Sequence, residues 1–335
     1  MRSLILKAPG GLENLAFIER DMPRPRAGEL LVRIHASSLN FHDYVVAMGI
    51  KPVEDGRVLM SDAGGEVVAV GDGVAGFAVG DNVVSVFYRE WLAGSIATDI
   101  QANTIPGDTC DGYGADYVAA PEAWFTKAPA GWSHAEAATL TCAGLTAWRG
   151  LVVEGKPKPG DTVLIQGTGG VSIFALQFAK AAGAAVIATS SSDEKLERLR
   201  ALGADHLINY KQTPEWGMKA REITGGRGVD HVVEIGGSGT LAQSIRACAR
   251  GGHIALIGVL AGMGGEIPAY EIFLSQIRIS GVLVGSGADQ LEMIRALDVN
   301  GIRPVIDSTF AIDALADAYR HQASGKHFGK ICVTL

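Results

Sequence analysis

The residues best placed to do chemistry are Gly167-Thr168-Gly169-Gly170-Val171-Ser172, a glycine loop between the apolar runs "DTVLIQ" and "IFALQFAKA". A strand feeding such a loop into a helix binds the pyrophosphate of a dinucleotide. Gly167 permits the tight turn, and Gly169 lets the backbone approach the ligand. The unpaired N–H groups at the helix start, with Thr168, Gly170 and Val171 in the same turn, face the phosphate charge. Ser172 replaces the third glycine of the fingerprint. That replacement is expected to relax the packing of helix on strand without removing the anion site.

The second strand of the unit, "AAVIAT", ends in Ser190-Ser191-Ser192. Sites that use NAD carry Asp or Glu here to hold the ribose 2′-hydroxyl. With no carboxylate at the strand end to repel a 2′-phosphate, the expected cofactor is NADPH (NADP+). Ser190, Ser191, Lys195 and Tyr210, which closes the next strand, are its candidate contacts. Ser191-x-x-Glu194 also reads as a capping box, and hydroxyls at a helix start serve both purposes.

Such a loop needs a parallel sheet to hold it. From about residue 134 the chain alternates strand and helix: "DTVLIQG", a helix over 170–182, "AAVIAT", "DEKLERLRALG", "HLINY", "TPEWGMKAREIT", "VDHVVEIG", "TLAQSIRACAR", "GHIALIGV" and "RISGVLVG". This alternation predicts an α/β domain with helices on both faces of the sheet. Residues 1–125 read instead as short strands set off by Gly and Pro, among them "ELLVRIHASSLN", "GGEVVAVG" and "GFAVGDNVVSVF", hence a mostly antiparallel β domain. Residues 88–116 lose all periodicity, and a loop of that length is functional or disordered. Its aromatics Tyr88, Trp91 and Tyr113 point to a flat, apolar substrate near a cleft, or equally to core packing. The tail gives a helix, a segment around "IRPVIDSTF", a helix over 312–323 and a last strand "GKICVTL".

Composition narrows the partners. The 335 residues exceed what one core supports, so two domains are expected. A net charge of −7 without a basic cluster argues against nucleic acid or an anionic membrane surface. The chain has no apolar run of membrane-spanning length. Cys110, Cys142, Cys248 and Cys332 are scattered, so neither a disulfide framework nor a cysteine-rich metal site is readable. A reducing, cytoplasmic setting is expected. Apolar edge strands at 254–259 and 278–285 suit sheet pairing across a two-fold axis, hence a homodimer.

Taken together, "GELLVRIHASSLNFHD", "GGEVVAVGDGV", "VGDNVV", "LTCAGLTAW", "GTGGVS", "LGADHLINY" and "GKICVTL" resemble the medium-chain dehydrogenase/reductase superfamily over nearly the whole chain. The resemblance implies a GroES-like β-rich catalytic domain (1–125 and 288–335) and a Rossmann doubly wound parallel-sheet domain (126–287). Lys330 joins the cofactor set in this reading. The alcohol dehydrogenase branch holds a catalytic zinc at three positions that align here with Asn40, Ser61 and Cys142. One thiol with an amide and a hydroxyl is not a catalytic zinc site. The four cysteines of the family's structural zinc are likewise reduced to Cys110, so no metal is expected.

Zinc-free members resemble quinone and enone reductases, in which conjugation spreads the incoming charge and positioning of two flat rings does most of the catalysis. The candidate polar residues are Asn40, matching an Asn of the quinone-reductase branch, and His42, where alcohol dehydrogenases carry a Ser or Thr proton relay. Asp43 and Tyr44 stand beside them, Tyr44 as a second possible proton donor. The expected function is NADPH-dependent hydride transfer to a small apolar quinone or α,β-unsaturated carbonyl. Two alternatives stand beside it: a zinc-independent or zinc-dependent alcohol dehydrogenase or carbonyl reductase, and a non-catalytic NADPH-binding protein of structural or redox-sensing role.

Overall fold

A computed structural model describes residues 1–96 and 104–335; the 97–103 part of the long loop lies outside the described residues. The chain forms two compact units, Met1–Leu145 with Val284–Leu335, and Thr146–Leu283.

The first unit is built on a seven-stranded sheet. Its central strand, Glu29–Ser38, pairs antiparallel with Gly64–Val70, Tyr117–Pro121 and Lys330–Thr334. Asn82–Ser85 and Phe125–Lys127 extend one side, and Ile306–Ala311 lies parallel to the C-terminal strand on the other. The antiparallel reading therefore holds, with one parallel pair at the edge. Leu30, Val32, Ile34, Val67, Val83 and Phe125 form one core of this unit. Each such side chain fully removed from water contributes about 1.5–3 kcal/mol. The helix His134–Ala138 packs on the strands Glu29–Ser38, Gly64–Val70 and Asn82–Ser85, so this stretch sits with the first unit. Beyond it, "TLTCAGLTAWRGLV" is not one regular helix: π turns at Leu140–Gly144 and Arg149–Gly155 flank a short α segment.

Tyr88, Trp91 and Tyr113 are 1%, 3% and 0% exposed. They are packed core, not lining for a substrate. The loop they belong to is held by side chains: the Arg89 guanidinium donates to Cys110 Sγ at 3.2 Å and to the Asp111 carbonyl at 2.9 Å.

The second unit is a six-stranded, all-parallel sheet. Its spatial order runs His206–Asn209, Ala185–Ser190, Thr162–Gln166, Val229–Glu234, Cys248–Leu256, Arg278–Gly281. The chain thus starts at the middle and reverses direction between Thr162–Gln166 and Val229–Glu234, the switch point at which dinucleotides bind. Leu164, Ile187, Ile208, Val232 and Ile254 pack on one face against Trp216, Leu241 and Ile245 of the helices.

One expectation is corrected here. Residues 254–256 belong to an interior strand, flanked by Val229–Glu234 and Arg278–Gly281. Of the two strands, it is Arg278–Gly281 that lies at a sheet edge, and the regular strand stops there rather than at 285; Val284 adopts a positive φ of 55°.

Candidate active site

Asn40 lies two residues beyond the long strand Glu29–Ser38 and caps the start of the helix Phe41–Ala47. Asp43, at the third helical position, accepts the Asn40 N–H at 3.0 Å, which satisfies a donor that a helix start leaves open. The same carboxylate accepts the Ser61 N–H at 2.9 Å and the Ser61 hydroxyl at 3.0 Å. Ser61 Oγ in turn accepts from Asn40 Nδ2 at 3.1 Å. On the other side of the amide, Lys330 Nζ donates to Asn40 Oδ1 and to the Leu39 carbonyl, both at 2.6 Å. An ammonium has only donors, so this contact fixes which end of the Asn40 amide is oxygen.

Lys330 is 4% exposed and Asp62 0%. Their charges lie 3.6 Å apart, and Ser38 Oγ donates to Asp62 at 2.6 Å. Burial pushes the Asp62 carboxyl up to about 6, against the pull of Lys330 and the hydroxyl, with nearby Asp43 pushing the same way. Lys330, expected among the cofactor contacts, thus has its ammonium engaged with Leu39, Asn40 and Asp62.

Asn40 and Ser61 come together as the alignment with zinc ligands requires, but they do not fit a zinc ion. Such a site takes anionic or neutral N and S donors with free lone pairs. Here the amide oxygen accepts from an ammonium, and the Ser61 hydroxyl is used both as donor and as acceptor. Among the described residues no three His, Cys, Asp or Glu side chains gather to hold a metal. Cys142 stands in the π turn Leu140–Gly144, half-buried.

His42, on the same short helix, turns Nε2 to within 3.4 Å of Asp108 Oδ2. Asp108 comes from the long loop, is buried, and is also held by the Lys51 ammonium. The His42 ring meets the edge of Phe87. Tyr44 does not join this group: it packs with Tyr319 and Phe41 against the aliphatic cluster around Leu59 and Ile331. Its environment is that of a core aromatic.

In the second unit Gly167 has a φ of +71°, a conformation costly for any residue with a Cβ. At Gly169, the N-cap of the helix Gly170–Ala181, an added Cβ would meet nothing within 4 Å. The backbone there is open to a close-lying group, as a pyrophosphate requires. Ser172 tightens the packing rather than relaxing it: it is fully buried and donates to the Gln166 carbonyl at 2.6 Å, tying helix to strand.

Ser190 and Tyr210 are neighbours, the Tyr210 N–H donating to the Ser190 carbonyl at 3.1 Å. The helix Asp193–Ala201 is capped by Ser192, which accepts from the Lys195 N–H at 3.3 Å, one residue later than the Ser191 box expected. The Ser191 hydroxyl therefore has no capping bond to make. Ser190 ends one strand and Tyr210 follows the neighbouring one, while Ser191 and Lys195 stand at the start of the helix after Ser190. Asp193 brings a carboxylate to this helix start, and its two oxygens are held by Asn209 at 2.6 Å and Gln212 at 3.0 Å.

Sequence reasoning missed Asp62, Asp108, Lys51 and Glu234. Glu234 is fully buried at the end of its strand and accepts Gln166 Nε2 at 2.7 Å and the N–H groups of Gly236 and Gly237 at 2.7 and 3.0 Å. It thereby shapes the turn beside the glycine loop. A lone acid in the apolar run "HVVEIGG" was the available signal, as was the Asp in "LMSDAGG"; nothing local marked Asp108.

Comparisons with known proteins bear on the fold and on the class of reaction. Residues 26–130 match the family described as "Alcohol dehydrogenase GroES-like domain", and residues 170–299 match "Zinc-binding dehydrogenase". A zinc-type alcohol dehydrogenase-like protein of Schizosaccharomyces pombe is 41% identical over all of this chain and 99% of its own. The solved structure of an NAD-dependent alcohol dehydrogenase is 35% identical, with a TM-score of 0.91 and full coverage of both chains. A mycobacterial protein solved with NADPH is 26% identical with a TM-score of 0.82, also over all of both chains. A mycobacterial quinone oxidoreductase stands at the same identity, TM-score and coverage. Glycine loop, sheet order and relatives agree: this chain belongs to the medium-chain dehydrogenase/reductase superfamily and is an NAD(P)H-dependent oxidoreductase.

Proposed function

We propose that this chain is a zinc-independent, NADPH-dependent reductase of quinones or α,β-unsaturated carbonyl compounds. The observation that carries this reading is the Lys330 ammonium seated on Asn40 Oδ1 at 2.6 Å, in a group aligned with zinc ligands in relatives. A positive charge bonded to the first ligand position opposes a second one, so the residues of this chain must manage the substrate oxygen alone.

When bound, the nicotinamide supplies the hydride. Asn40, clamped between Lys330 and Ser61, offers a fixed polar edge that orients the substrate oxygen or the nicotinamide. His42 is the proton donor to the enolate or hydroquinone oxygen, an imidazole N–H being a common general acid. With Nε2 turned toward Asp108, the nitrogen left for the substrate is Nδ1. Such a donor suffices where conjugation spreads the negative charge; the concentrated charge of a simple alkoxide needs more. The serines at the end of Ala185–Ser190, with Lys195 and Tyr210, favour NADPH because no acid occupies the strand end.

A second reading, a zinc-free alcohol dehydrogenase or carbonyl reductase acting through His42, is favoured by the alcohol dehydrogenase relatives. One experiment separates them: cofactor oxidation by metal-stripped protein against a quinone, an enone and a saturated aldehyde. Turnover of the conjugated acceptors alone supports the first reading. Equal turnover of the aldehyde supports the second, and aldehyde turnover restored only by zinc overturns both. We also propose a homodimer paired through the edge strand Arg278–Gly281, near which Tyr270, Phe273 and Leu274 are exposed. No helix among the described residues is long and apolar enough to cross a membrane.

A further inference from the structure

A cavity of about 250 Å³ in the first unit is lined from the strand Arg2–Leu6 and from residues 111–119, with Ser3, Arg89, Asp111, Tyr117, Val118 and Trp124 on its walls. Arg89 is its chemical centre. It is only 6% exposed, and the rings of Trp124 and Tyr113 cover its guanidinium at 4.3 and 4.9 Å. A guanidinium carries five N–H groups and no acceptor. Two of the five serve Cys110 Sγ and the Asp111 carbonyl, and Nε–H is buried with no acceptor among the described residues.

Charge is unbalanced at this place. The Asp111 carboxylate is taken by Arg20 at 2.9 Å and by Arg57 at 3.4 Å, and Arg57 also meets Glu54 at 2.9 Å. Three arginines therefore face two carboxylates, and among the described residues Arg89 has no ion-pair partner. Ring faces and neutral acceptors soften a buried charge without neutralising it. Ser3 Oγ, on the same cavity, is buried and likewise without a partner.

We propose that this cavity is a binding site for a small monoanion with a flat apolar body, of the aromatic carboxylate class. The carboxylate meets Arg89, the group whose planar fork matches it. Trp124, Tyr117 and Val118 cover the ring. None of these residues belongs to the Asn40 or His42 groups, so the proposal stands apart from the reaction assigned above.

The test is calorimetric titration of the full chain with benzoate, with benzamide as its neutral counterpart. Saturable benzoate binding is expected, about tenfold or more tighter than benzamide. Arg89→Gln weakens it by a similar factor. Arg89 also holds its loop, so Ala119→Phe serves as the second variant: it fills the cavity from the strand Tyr117–Pro121 and leaves the bonds of Arg89 to Cys110 and Asp111 in place. Binding persists in His42→Ala and Asn40→Ala. The proposal is overturned by absence of saturable binding, by equal affinity for benzamide, by binding that survives Ala119→Phe, or by binding lost with His42→Ala, which would place benzoate at the catalytic group.

Discussion

His42 Nε2 lies 3.4 Å from Asp108 Oδ2, and that carboxylate, 3% exposed, also receives the Lys51 ammonium. The contact is an ion-pair approach rather than a hydrogen bond, Nε2 being buried with no hydrogen-bond partner among the described residues, and it turns the other ring nitrogen away from the acid. Replacing His42 by Ala is expected to lower kcat by roughly 100-fold, the low end for a general acid. Asp108→Asn keeps the shape but loses the charge, and a loss on the order of tenfold in kcat with little change in KM is expected. Steady-state kinetics with a quinone decide it: a change confined to KM would remove Asp108 from this role.

The Asn40–Lys330 contact bears on metal dependence. Exhaustive treatment with a strong chelator should leave quinone turnover unchanged, and added zinc should not increase it. Lys330→Met should destabilise the protein by about 3–5 kcal/mol, because Asp62 is then left buried without its ion partner. Chelator-sensitive turnover regained with zinc would defeat the zinc-free reading.

Cofactor choice rests on the patch at the end of Ala185–Ser190. Ser191→Asp places a carboxylate where a 2′-phosphate is expected. KM for NADPH should rise about tenfold or more, while KM for NADH holds or falls. Parallel titrations with the two cofactors give the ratio. An unchanged ratio would move the 2′-phosphate away from Ser191.

Asp62 gives stability a pH dependence of known sign. Its carboxyl is pushed from an ordinary 3.8 up to about 6 in the fold, so the folded chain binds the extra proton in that interval. The associated stability is fully present below about pH 4 and is lost as pH rises through about 6, on the order of 3 kcal/mol at most. Asp62→Asn leaves the buried Lys330 ammonium without its acid and so starts from a lower stability, but, unable to ionise, it should not lose stability between pH 4 and 6 as the wild type does, and the gap between the two narrows as pH rises. Denaturant midpoints across this range test the sign; a relative loss with rising pH would contradict it.

Much of the fold was legible because each strand of a parallel sheet is buried on both faces and reads as an apolar run. "DTVLIQG" and "VDHVVEIG" declare themselves in that way, and the glycine loop is a local feature of one turn. The polar group around Asn40 was legible only in part. Its partner Lys330 lies 290 residues away, and no spacing rule joins them. Asp108 meets His42 through a loop without periodicity. The burial of Tyr88, Trp91 and Tyr113 is not legible in the sequence, because composition does not tell a ring inside a loop from one lining a pocket. The helix cap moved from Ser191 to Ser192 because three serines in a row offer equivalent hydroxyls, and only backbone geometry selects among them.

His253 sets an acid limit on the second unit. It lies on the interior strand Cys248–Leu256, 1% exposed, with its Nε2 buried and without a hydrogen-bond partner among the described residues. Burial, helped by Arg278 and by His231 with its ring 6.2 Å away, pulls it from 6.5 down to about 4. A base held neutral in this way contributes stability that is present above pH 6.5 and is lost as pH falls toward 4, on the order of 3 kcal/mol. His231 contacts Asp161 at 3.2 Å, whereas among the described residues no carboxylate pairs with His253. His253→Phe removes the titrating group and fills the same space. Urea unfolding at pH 5 and pH 7.5 should then show a smaller difference in the variant than in the wild type. An equal difference in both would assign the acid sensitivity to other groups.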